Sequence, residues 1–148
     1  MSLSGDSLLD AERNTTQLEF HCLGNREVVG KFDGGNITSY AGGLLLRETE
    51  KRTGILPGFA ACFEDLRDRD LIEQTVAELV AQRVYALALG YEDLNDHDDL
   101  RRDPLLAVLV GKEDAEGAGR IRKQDQDKAP AGKSTLNRLT TNTRKRSK

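Results

Sequence analysis

Tryptophan is absent from this 148-residue chain, and aromatic residues make up only 5% of it. With 37% apolar and 32% charged residues, the sequence supports a modest core; a fold of this length buries about two-thirds of the surface of its extended chain. Cysteine is nearly absent too. Cys22 and Cys62 stand far apart and outside any C-x-x-C pattern, which argues against a disulfide scaffold or a zinc finger and fits a reducing compartment. No apolar run approaches the ~20 residues that span a bilayer, so no membrane partner is expected. The opening MSLSGDSLLDAER has acidic residues and no apolar stretch of the kind a secretory signal needs. The expectation is a cytoplasmic protein of one domain, or one domain with a tail.

Charge is present in quantity but unevenly spread. From Arg120 to Lys148 ten basic residues face only Asp125 and Asp127, a formal +8 that leaves −11 on the other 119 residues. An acidic body with a basic end can engage a polyanion through the end while the body keeps the chain in solution. A solvated terminus has the same composition, so charge alone identifies no partner.

Along the chain, the first 17 or so residues are polar and unpatterned and read as disordered. EVVGKF is β-prone and is followed by Asp33-Gly34-Gly35-Asn36, a turn signal for a hairpin with Ile37 and Thr38 beyond it. Thr38 or Ser39 can cap a helix through Leu44–Glu48 that ends at Gly54, with Gly42 and Gly43 weakening its first turn. ILPG reads as a loop and FAACF as a short apolar turn. Asp68 or Asp70 then starts the most strongly patterned helix, with Ile72, Val76, Leu79, Val80, Val84 and Leu87 at helical spacing, Gln82 and Arg83 on the polar side, and a stop at Gly90. Asp103-Pro104 opens another helix that ends at Gly111. Residues 112–131 lack periodicity and read as a polar linker. Ser134 can cap a last helix with Leu136 and Leu139. The organisation expected is a disordered stretch over 1–17, a mainly helical region over 18–111, the linker, and a basic C-terminal helix and tail over 132–148. The fold class is mainly α with a small β-hairpin near the N-terminus (α+β).

Several clusters suggest chemistry. EDLNDHDDL gathers Asp93, Asp96, Asp98 and Asp99 around His97, groups that suit divalent metals. A calcium loop counted from Asp93 would need glycine at position 98 and glutamate at position 104, where the sequence has Asp98 and Pro104. An inter-helix loop, with Asp96 or Asp98 capping a short helix through Leu100 and Arg101, accounts for the cluster without a metal. Ala131-Gly132-Lys133-Ser134-Thr135 has the ending of a phosphate-binding loop, but position 127 is Asp where that pattern needs glycine, and no buried strand precedes it. No nucleotide is expected. His21 and His97 lack evident catalytic partners, and Asp33 is explained by its turn.

Three blocks carry a resemblance when taken together: FDGGNITSYAGGLLLRETEKRTGI, QRVYALALGYEDLNDHDDLRRDPLLAVLVG and AGKSTLNRL. In order and spacing they resemble the N-terminal region of group 1 DDE transposases, the cut-and-paste enzymes of a class of bacterial insertion sequences. The resemblance spans roughly residues 28 to 139, and the middle block is its most specific part. It implies an enzyme family that cuts and joins DNA with three carboxylates on an RNase H-like fold holding two divalent metals, Mg²⁺ or Mn²⁺. It also implies that this catalytic fold begins after AGKSTLNRL. No residue of this chain matches the triad, so no catalytic or metal-binding residue is assigned, and no cofactor is expected in the chain itself. TTNTRKRSK departs from the more acidic stretch expected after Leu139, which implies a truncated or frameshifted copy that cannot cleave or join DNA.

The role implied for what remains is DNA binding, at the element's terminal inverted repeats. Lys133, Ser134 and Arg138 of the last helix, with Arg144, Lys145, Arg146 and Lys148 of the tail, are the candidate phosphate contacts, since helix starts favour anions and each cation steepens the salt dependence of binding. The alternative is a helical oligomerisation or interaction module, a possible homo-oligomer, presenting Ile72, Val76, Leu79 and Leu87 to a partner.

Overall fold

The computed structural model describes residues 17–31, 40–141 and 143–145. Two strands come first, β1 (Gln17–Leu23) and β2 (Arg26–Lys31). Six α-helices follow among the described residues: α1 (Gly42–Thr53), α2 (Ile55–Ala60), α3 (Val76–Ala88), α4 (His97–Leu100), α5 (Pro104–Val110) and α6 (Lys133–Thr141). Strand β3 (Phe63–Asp65) lies between α2 and α3, and β4 (Thr143–Lys145) follows α6. The architecture is mainly α with a small antiparallel hairpin near the N-terminus, and the described strands form two separate two-stranded sheets.

The hairpin pairs β1 with β2 from Gln17–Lys31 to Leu23–Arg26, with an irregularity between Phe20 and Leu23. The described part of that stretch, EVVGK, therefore pairs with the segment that precedes it. QLEFHCL alternates apolar and polar residues, the period of a strand, and the reversal is made at Gly24, whose φ of +58° is open to a residue without Cβ. The turn Asp33-Gly34-Gly35-Asn36, the residues Ile37, Thr38 and Ser39, and residues 1–16 lie outside the described residues. Arg47, almost fully buried on α1, fixes the hairpin by donating to the carbonyls of His21 (2.6 Å) and Cys22 (3.1 Å), while Glu48 pairs with the His21 side chain.

Helix α1 ends at Gly54, in the left-handed conformation at φ +62°. ILPG, expected as a loop, instead belongs to α2. Pro57 sits in the first turn, where its missing N–H would have no intrahelical partner anyway, and Glu50 Oε1 accepts from Leu56 N at 3.0 Å. Helix α3 starts later than expected. Its cap is Thr75, in a reciprocal capping box with Glu78, whereas Asp68 caps the single 3₁₀ turn Arg69–Leu71. Helix α5 matches the expectation at both ends: Asp103 accepts from Leu105 N (2.8 Å), Pro104 takes the first position, and Gly111 ends it at φ +89°.

Helix α3 is the hub of the core. Tyr85 and Ala86 pack with Leu44, Leu100, Leu106 and Leu109. Val76 and Val80 pack with Ala60, and Leu79 packs with Ala131 and Leu136. The apolar stripe considered for a partner is thus largely spent inside: Leu79 is fully buried and Val76 nearly so, with only Leu87 half exposed. Gln82, expected on the polar side, is also buried. Gly43 has a packing role, since a Cβ there would lie 2.8 Å from Leu109 Cδ1; its absence lets α1 approach α5.

Candidate nucleic-acid interface

Helix α6 carries the first of the candidate DNA contacts, and its start is already occupied. The backbone N–H of Lys133 donates to Asp98 Oδ1 at 3.1 Å, and its Nζ lies 3.1 Å from Asn95 Oδ1 and 3.5 Å from Asp98 Oδ2. The carboxylate from α4 fills the place that a bound anion takes at a helix N-terminus. Gly132 sits against the same group, for a Cβ there would meet Arg101 and Asp98 Oδ1 at 2.9 and 3.0 Å. Asp98 therefore works as an internal anion on α6. Asp96 occupies the cap position of α4 without a side-chain capping bond, and Asp93 closes a local turn by accepting from Asn95 N at 2.9 Å.

Beneath α6 lies a buried polar clamp. The Gln82 amide pairs with the backbone of Ala131 in both directions: Nε2 donates to Ala131 O (2.7 Å) and Oε1 accepts from Ala131 N (2.8 Å). This reciprocal pair of hydrogen bonds fixes which end of the amide is NH₂. The remaining Nε2 hydrogen faces His97 Nδ1 at 3.0 Å, so Nδ1 is an acceptor and the ring is neutral. Burial of His97 lowers its pKa, and the Arg83 guanidinium, 3.5 Å from Nε2, acts in the same direction against the opposing pull of Asp96 and Asp98. The candidate metal ligand of the sequence is thus a packed histidine whose Nδ1 is already engaged by Gln82.

The non-periodic segment before α6 is held by ion pairs. Arg101 donates to Asp125 Oδ1 at 2.7 Å. Arg120 donates to Glu73 Oε2 (3.0 Å) and to the carbonyls of Lys128 (2.9 Å) and Ala129 (3.1 Å). Gln74 also donates to Ala129 O (3.0 Å), and Ala129, Pro130 and Ala131 are buried. For Asp125, burial opposes the charged form, but the Arg101 hydrogen bond and the charges of Arg101, Arg120 and Lys128 outweigh it and lower the pKa. At Glu73 burial is likewise outweighed, by Arg120 and the N–H of Ile121.

Of the candidate contacts, Lys133, Ser134 and Arg138 are exposed on α6. Ser134 and Arg138, four residues apart, share one face, whereas Lys133 is turned away by about 140° from Arg138. Arg144 and Lys145 fall in β4, whose backbone pairs antiparallel with β3, Glu64 opposite Arg144 and Phe63 opposite Lys145. Arg146 and Lys148 lie outside the described residues. Sequence reasoning missed Gln82, Arg101 and Arg120. The available signal was a glutamine on an apolar helix, an arginine after the short helix α4 and an arginine in a non-periodic segment, and it does not name their partners. A two-metal site needs several carboxylates converging; among the described residues no three His, Cys, Asp or Glu side chains stand where they could hold a metal ion. Nor is any helix among them long and apolar enough to cross a membrane.

Comparison with curated proteins found no match, and neither did comparison with solved structures. The family described as transposase DDE domain group 1 does match, over residues 20–148. The match takes in most of the hairpin, every described helix and the basic C-terminal region, so the chain belongs to the group 1 DDE-domain transposase family.

Proposed function

We propose that this polypeptide contributes DNA contact to transposition and does not itself cut or join strands, corresponding to the part of a DDE transposase that precedes the metal-binding acids. The observation that carries this reading is a pairing: the family match covers residues 20–148, yet the described residues contain no converging set of acids. In this reading Mg²⁺ or Mn²⁺ is held by acids elsewhere in the complete enzyme. The duplex engaged is the terminal inverted repeat, and the surplus of cations after Arg120 supplies the attraction.

The test has two arms. Binding of the purified chain to duplex DNA over a salt series should give a log–log slope of several counterions; a flat response refutes the DNA-contact role. Incubation with supercoiled DNA and Mn²⁺ should leave the DNA intact. Nicking or strand transfer by nuclease-free protein refutes the non-catalytic role.

A further inference from the structure

The cations after Arg120 differ in how they are held. The 3₁₀ turn Lys123–Asp125 is anchored from inside by Asp125 on Arg101, and by Arg120, whose guanidinium lies 4.0 Å from Asp125 and also binds Glu73. Glu73 Oε1 accepts from Ile121 N at 3.0 Å, and Lys128 Nζ closes the far side on Gln124 O at 2.7 Å. Held in this way, the loop turns Arg122 and Lys123 to solvent, where with Gln124 they form a shallow, open stretch of surface. Among the described residues no ion pair engages either of them, whereas the neighbouring Arg101, Arg120 and Lys133 all have carboxylate partners. Ile121, 81% exposed, stands beside them.

We infer that the loop of residues 120–128 is a binding site for the phosphate backbone of DNA, with Arg122 and Lys123 as the contacting cations. The inference rests on the DNA-contact reading above and locates it away from the start of α6. Two side chains on an anchored loop give up less conformational freedom on binding than cations on an unanchored chain. Lys133 is a weaker candidate, because engaging a phosphate means giving up Asp98 and Asn95.

The test uses the full 148-residue chain and a fluorescent DNA duplex, read by anisotropy over a salt series. Arg122→Gln/Lys123→Gln removes two exposed charges and should leave the thermal melt unchanged. It should lower the salt slope by about 1.8, equivalent to binding weakened tens of fold near 0.1 M salt. Arg122→Lys/Lys123→Arg should keep the wild-type slope, and Lys133→Gln should change it by well under one. If the wild type binds and the double neutralisation leaves its slope intact, this site is refuted while the DNA-contact role stands. If the wild type does not bind the duplex, both fall. Binding to anionic phosphatidylserine vesicles without duplex binding would assign the loop to a lipid surface and overturn the inference.

Discussion

Replacing Gln82 tests whether the start of α6 is held by the clamp beneath it. Gln82→Ala removes both hydrogen bonds to Ala131 and the one to His97 Nδ1, and all three partners are in the interior. The Ala131 N–H and C=O, both in the interior, then lose their partners, at about 1–3 kcal/mol each. With the cavity added, the loss should be about 3–5 kcal/mol, at the severe end for one substitution and a large share of a domain's total stability. Gln82→Leu, which keeps most of the volume, should recover only the cavity part. Gln82→Glu is the sharper probe. A carboxylate still accepts from Ala131 N but cannot donate to Ala131 O, and it favours a protonated His97. That variant should therefore be least impaired in mild acid, the reverse of the wild type. Urea unfolding followed by circular dichroism, at neutral pH and near pH 5.5, measures all three. A Gln82→Ala loss below about 1 kcal/mol would show that Ala131 finds other partners and would refute the clamp.

Other substitutions isolate single contacts. Gly43→Ala should destabilise by about 1–3 kcal/mol through its clash with Leu109, despite improving helix propensity, and a gain in melting temperature would contradict the close approach of α1 to α5. Thr75→Ala should cost about 1 kcal/mol by losing the cap of α3, while Asp68→Ala should cost less, because it caps only one 3₁₀ turn; equal losses in urea titrations would argue against that assignment. Acid should act in two stages. His97 has a folded pKa below its unfolded value of about 6.5, so the unfolded chain binds more protons there and stability falls as pH drops below about 6.5. Asp65, held low first by its Arg67 hydrogen bond, and Glu73 and Asp125, where arginine contacts overcome burial, have depressed folded values. Their stabilisation is present above about pH 4 and disappears as pH falls through those lower values. His97→Gln should abolish the first stage alone, as read by unfolding midpoints across pH.

What the sequence made legible was whatever depends on near neighbours. Asp103-Pro104 and Gly111 bracket α5 because capping and chain reversal act within a few residues. The apolar period of α3 likewise marks a helix wherever it packs. The errors follow from the same limit. Thr75-Val76-Ala77-Glu78 is a capping box by pattern, but nearby aspartates offered a competing start. Gln82 shows the deeper limit: a polar residue on a helix reads as solvent-facing unless its distant partner, here the backbone of Ala131, is known. Residues 112–131 show no periodicity because arginines and carboxylates from other elements hold them, through bonds that need no repeat. Lys133 reads as a DNA contact from sequence because helix starts attract anions. The same physics had already drawn in Asp98 from 35 positions away.

The internal pairing of Lys133 with Asp98 changes the meaning of the charge asymmetry. Read linearly, a −11 body is joined to a +8 end. In the fold the two interleave: Glu73 takes Arg120, Asp98 takes Lys133, Asp125 is claimed by Arg101 from the body, and acidic β3 pairs along its backbone with basic β4. Two of the ten basic residues, Arg120 and Lys133, are thereby committed to holding the C-terminal third onto the body. Of the other described cations, Arg122, Lys123 and Arg138 form no ion pair among the described residues and Lys128 bonds to the Gln124 carbonyl, and Arg122 and Lys123 sit on a loop held by those same pairs. Paired charges contribute little to a counterion-release slope, because the phosphate must compete with a carboxylate already in place. The number of counterions released on DNA binding should therefore fall short of the ten basic residues from Arg120 to Lys148, with Arg120 and Lys133 contributing least.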